Sequence, residues 1–188
     1  MSAGKVTQQL YLTGLPDGGV FTVTSVTAPQ DSDWYTYFSR TAPFTVTGTQ
    51  QQPGYIGESV IQTQGVFGGG TPPYVTLAYS LQVPVNGQTV TKTGYLSVNT
   101  TAFGEIERPD YSLLTFNIEG QPPQNVSQEI PDLQDPDPIY VGFAVSSSQV
   151  LIAASTENLL SSKVLEDLID GVIDVNEELV KWVIEALL

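Results

Sequence analysis

Apolar and polar residues alternate along most of this chain. In residues 5–12, KVTQQLYL, the pattern sends Val6, Gln8, Leu10 and Leu12 one way and Thr7, Gln9 and Tyr11 the other. A side-chain period of two is that of a β-strand with one buried face. Similar runs recur at 20–27, 34–38, 44–48, 59–67, 74–85, 88–98, 112–120, 138–146 and 149–154. Turn residues separate them, each for a reason. In LPDGG (15–19) Pro16 presets φ and a glycine supplies a positive one, so 5–27 reads as a hairpin. Asn86-Gly87 joins two long alternating runs and accepts the two left-handed conformations of a type I′ turn, the clearest hairpin in the chain. Residues 121–138 carry five prolines and read as an extended surface loop. Nine or ten short strands with no helix between them predict a mainly β fold, an antiparallel β-sandwich or jelly roll over residues 1–154. No internal repeat stands at a fixed period.

The period changes near Glu157. Leu160, Val164, Leu165, Leu168 and Ile169 follow spacings of three and four, and Leu179, Val180, Val183, Ile184, Leu187 and Leu188 form one apolar face. Residues 155–188 are therefore expected to be an amphipathic helical segment. Gly171 and the capping pattern around Asp174, Asn176 and Glu177 favour a kink or two helices. Against a break, Leu165, Leu168, Val172, Val175, Leu179, Trp182 and Ala186 keep a continuous heptad seam. A short isolated helix is marginal in water, so this face has to dock. A sandwich fills its own interior, which points the docking surface (Leu165, Leu168, Val172, Leu179, Trp182, Val183 and Leu187) toward a second copy or a protein partner.

Charge narrows the classes of partner. The chain has a net charge of −14 from 20 acidic and 6 basic residues, and the C-terminal segment carries a disproportionate share of that excess. Such a chain repels a phosphate backbone and has no basic cluster to offset that, which excludes nucleic-acid binding as an expectation. Anionic membrane surfaces are disfavoured for the same reason. The N-terminus carries no apolar leader and no run reaches the length of a membrane span. Cytoplasmic synthesis or virion association is the corresponding expectation, and the sequons at Asn99 and Asn125 read as accidental.

Candidate chemistry is sparse. The absence of histidine and cysteine removes Ser-His-Asp and Cys-His nucleophilic machinery, zinc sites of the usual ligand set and the commonest general base. Ser2-Ala3-Gly4-Lys5 fits a Ser-x-x-Lys string at a chain terminus, and GGGTPP (68–73) lacks the Lys-Ser/Thr and following helix of a phosphate cradle. Glu105 and Glu107 would share a strand face about 6.6 Å apart, an arrangement a glycoside hydrolase can use and one that two surface carboxylates match equally well. Asp132, Asp135 and Asp137, with Asn125 and Glu129 upstream, are clustered oxygen donors that suit calcium but lack EF-hand spacing, and solvated acids explain them as simply.

The remaining feature is DSDWYTYFSR (31–40). Alternation sends Trp34, Thr36 and Phe38 to one face and Tyr35 and Tyr37 to the other. One set is then core and the other a tyrosine-bearing sheet face. In the functional version Trp34, Tyr35 and Tyr37 are an aromatic platform for a sugar or a protein partner, with Asp31 and Asp33 accepting hydrogen bonds from hydroxyls. Together these features predict a non-enzymatic structural, assembly or adhesion module: a virion-type structural protein or a lectin-like glycan binder. A membrane-active cytolytic protein and a carboxylate-dependent hydrolase are the alternatives.

Overall fold

In a computed structural model, residues 5–13, 15, 18–30, 32–47, 54–64, 73–100, 110–120, 122–130, 139–145 and 150–155 are described. They form eleven strands: β1 (Lys5–Thr13), β2 (Val20–Thr27), β3 (Trp34–Phe38), β4 (Phe44–Val46), β5 (Gly54–Thr63), β6 (Val75–Val85), β7 (Gln88–Thr100), β8 (Asp110–Ile118), β9 (Gln124–Ile130), β10 (Ile139–Val145) and β11 (Val150–Ser155). A five-stranded sheet runs β11-β10-β1-β5-β3 and a six-stranded sheet runs β4-β2-β6-β7-β8-β9. The fold is all-β across these residues, as the alternation predicts.

Both sheets feed one apolar core. Leu10, Leu12, Trp34, Ile56 and Ile61 come from the five-stranded sheet, and Phe21, Val23, Leu77, Tyr79, Leu96, Val98 and Leu114 from the other. Each fully buried aliphatic side chain contributes roughly 1.5–3 kcal/mol by leaving water. Gln8 is a polar member of the inner face of β1, and its Nε2 donates to the backbone oxygen of Asn99 on β7 at 3.0 Å. That bond ties the two sheets together and satisfies an amide that burial would otherwise penalise.

The Asn86-Gly87 turn has the expected geometry, with φ of 47° and 78° at the two residues. It joins β6 to β7 in register from Val85↔Gln88 to Val75↔Val98. Midway along this hairpin Tyr79 sits opposite Gly94. A Cβ at Gly94 would collide with the Asn117 carbonyl oxygen and the Tyr79 ring, so glycine is what lets the phenol cross β7. The Tyr79 hydroxyl then donates to the Asn117 oxygen on β8 at 2.7 Å, and its ring stacks on Phe21 at 4.7 Å. Burial pushes the Tyr79 phenol pKa well above its ordinary value.

Four expectations are corrected. Residues 5–27 are not a hairpin: β1 pairs with β5 and β10, and β2 with β4 and β6. The connection between β1 and β2 instead carries the chain from one sheet to the other, and buried Leu15 anchors it. Residues 121–138 are not wholly loop. Gln124–Ile130 is β9, paired with β8, because its prolines stand outside the strand at 122, 123 and beyond 130. The run read as 59–67 is β5, which begins earlier, at Gly54, and ends at Thr63. Finally, β1 and β10 run parallel while every other described pairing is antiparallel.

Candidate functional site

The 34–38 strand shows which of its faces is core. Trp34, Thr36 and Phe38 are buried at 3%, 1% and 6% exposure, whereas Tyr35 and Tyr37 are exposed at 37% and 47%. Trp34 is therefore no part of an exposed platform. It points into the core because β3 presents its odd side to solvent, and a large indole gains most by burial. Asp33 lies half-buried at the head of the strand, and its backbone oxygen accepts a hydrogen bond from Gln64 N at 2.7 Å.

Register extends the tyrosine face across the sheet, because directly paired residues share a side. Tyr35 lies level with Gln62 of β5 and then Lys5 of β1, and Tyr37 with Val60 and Thr7. Gln9 pairs with Glu58 in the next row. Val60 is buried at the centre of this outer face.

The far end of the face is made by a β-bulge. Leu10 pairs with Gly57, but Tyr11 pairs with Tyr55, so Ile56 is the extra residue. Ile56 turns into the core, and Tyr55 and Tyr11 come together on the outside with ring centroids 5.5 Å apart. A bulge disturbs the backbone ladder. Here the Arg40 guanidinium bonds to the carbonyl oxygens of Tyr55 and Ile56 at 3.3 and 3.2 Å, and it lies over the Phe44 ring at 3.8 Å. Gly57 takes part in the same close fit, since a Cβ there would stand 2.5 Å from Phe38 Cζ.

The resulting site is a shallow strip of Tyr35, Tyr37 and Tyr55, with Tyr11 and Val60 as its floor. Half-buried Gln9, Glu58 and Gln62 supply polar groups. The Tyr11 hydroxyl donates to Gln9 Oε1 at 3.0 Å, which fixes that amide with its N–H groups turned away from the phenol. A strip of aromatic rings and amides can stack on apolar ring faces and exchange hydrogen bonds with hydroxyls. Beside it, the outer edge of β3 is guarded: Gln30 Nε2 donates to the Thr36 carbonyl oxygen at 3.3 Å, and the Thr36 hydroxyl donates to the Pro29 oxygen.

Tyr55 is the residue that reading by alternation misses, because the bulge breaks the period just where it lies. The two glycines at 54 and 57, inside an otherwise strand-like run, are the signal that marks such a break. Asp31, the Glu105–Glu107 pair, the acidic set Asp132, Asp135 and Asp137, and the helical face Leu165, Leu168, Val172, Leu179, Trp182, Val183 and Leu187 lie outside the described residues. Among the described residues no group of three or more His, Cys, Asp or Glu is placed to hold a metal ion, and no helix is long and apolar enough to cross a membrane. No protein-family model, curated protein or solved structure matches this chain.

Proposed function

We propose that this chain is a non-enzymatic adhesion or assembly module, a β-sandwich of the jelly-roll kind that engages a ligand through the tyrosine strip of its five-stranded sheet. In this reading the C-terminal segment, residues 155–188, docks onto a second copy or a protein partner through the apolar face that includes Leu179, Val183 and Leu187. The observation that carries the proposal is the exposure of Tyr35, Tyr37 and Tyr55, at 37%, 47% and 44%, on one side of one sheet. Large aromatic side chains with a polar tip are favoured contact groups, and a cluster of them facing water gains from being covered.

The test uses the full chain on a broad glycan array and in light scattering. The expected result is retention on the array that falls at least tenfold in Tyr37→Ala, and a solution mass above the monomer that drops in a Leu179→Gln, Val183→Gln double variant. A monomeric wild-type protein rejects the self-association arm. An array that stays silent with wild-type protein rejects glycan adhesion.

A further inference from the structure

We infer that the tyrosine strip is built for an uncharged, extended oligosaccharide chain and not for a single sugar or an acidic glycan. This rests on the adhesion reading above and adds the class and length of its ligand.

Charge decides the first half. The chain as a whole stands at −14, a field that repels sulfated or carboxylated polymers. Within the strip the rows Tyr35–Gln62–Lys5, Tyr37–Val60–Thr7 and Glu58–Gln9, followed by Tyr55–Tyr11, contain one acid and one base. The face is thus locally balanced on a strongly anionic molecule. Beside the bulge, one nitrogen of the Arg40 guanidinium is turned to the Tyr55 and Ile56 carbonyls. The strip's phenols and amides (Tyr11, Tyr35, Tyr37, Tyr55, Gln9 and Gln62) outnumber its two charged groups, and they pair with neutral hydroxyls.

Geometry decides the second half. Tyr35 is level with Gln62, and Tyr55 lies toward the other end of β5 beyond the bulge. Six strand steps separate the two levels, about 20 Å at the usual rise per residue. Tyr37 stands one row in from Tyr35, on the way. Exposed rings at both ends of such a span are covered together by a chain several sugar rings long. A single ring would cover one tyrosine and leave the others in water.

The experiment is titration calorimetry on the full chain with neutral hexasaccharides of glucose, N-acetylglucosamine and mannose units, their monosaccharides, and a sulfated hexasaccharide. At least one neutral hexasaccharide is expected to bind tenfold or more tightly than its monosaccharide. Tyr35→Ala and Tyr55→Ala, at opposite ends, should each weaken it at least tenfold, while Thr91→Ala on the other sheet should leave it unchanged. Tyr35→Gln and Tyr55→Gln serve as second variants should either alanine change disturb the strand, with melting curves confirming the fold. Equal affinity for monosaccharide and hexasaccharide, or preference for the sulfated chain, overturns this inference while a Tyr37→Ala effect leaves the adhesion reading standing. Silence toward every sugar, with a dimer mass that Tyr37→Ala abolishes, assigns the strip to a second copy and overturns the inference. Silence in both measurements overturns the inference and the adhesion reading together.

Discussion

The two sheets obey the same alternation on their inner sides and diverge on their outer sides. On the six-stranded sheet two outward rows are made largely of small hydroxylated residues that hydrogen-bond one another, with the row Ala78–Tyr95–Asn117 between them. Thr27, Thr76, Ser97, Thr115 and Asn125 form one row across five strands. Within it Thr76 and Ser97 stand 2.7 Å apart, and Thr115 donates to Asn125 at 2.9 Å. A second row pairs Thr22 with Thr45 at 3.4 Å and brings Thr93 to the Glu119 carboxylate at 3.3 Å. On the five-stranded sheet the outward residues include Tyr35, Tyr37 and Tyr55, whose rings reach solvent. One outer face hydrogen-bonds largely to itself and the other leaves three tyrosines exposed. Cross-strand hydroxyl pairs stabilise a sheet, whereas the exposed tyrosines are the proposed recognition groups.

The sharpest way to break this contrast lies within β3 itself. Trp34→Ala empties a packed core position and is expected to cost about 3–5 kcal/mol of stability in chemical denaturation. The adjacent Tyr35→Ala should cost about 0.5 kcal/mol or less, as a surface change. Comparable losses for the two would mean that the outer face is structural and the comparison false.

An intermediate effect is expected at Tyr79, the phenol that binds the six-stranded sheet together. Tyr79→Phe removes its hydrogen bond to Asn117 and should cost about 1 kcal/mol at neutral pH. The same variant gives a pH signature. Burial raises the folded-state pKa, so the unfolded chain releases this proton near pH 10 while the folded chain keeps it. Wild-type stability is unaffected by this group below about pH 10 and falls as the pH rises beyond it. The phenylalanine variant lacks that part of the fall, so the stability gap between the two proteins should close in alkaline melts. A gap that widens with pH would show that Tyr79 is not held neutral by burial.

The smallest effect belongs to the hydroxyl rows. Thr76→Val deletes one side of the Thr76–Ser97 pair and should cost about 0.5–1 kcal/mol, with sugar binding unchanged. Loss of ligand binding on this substitution would relocate the recognition face to the wrong sheet.

Much of this architecture is legible in the chain, and the limits of legibility have physical causes. Alternation identifies β3 to the residue and separates its two faces, and Asn86-Gly87 announces the hairpin between β6 and β7. Alternation says which way a side chain points but not which strand it lies beside. That is why β1 and β2 read as a hairpin although they belong to different sheets, and why the parallel pairing of β1 with β10 is invisible locally. Proline content hides β9, since seven residues between prolines suffice for a strand. The tyrosine strip was half visible. Tyr35 and Tyr37 follow from the period, but their union with Tyr55 depends on a bulge and on a long-range pairing that no local pattern encodes.

The tip of the β6–β7 hairpin has a practical consequence. Nothing lies within 4 Å of where a side chain on Gly87 would begin, and Gln88 beside it is exposed. Because the chain has no cysteine of its own, a Gln88→Cys substitution would create a unique chemical handle at the end of the two-stranded β6–β7 arm. A dye or spin label coupled there would report tumbling without touching either sheet's outer surface.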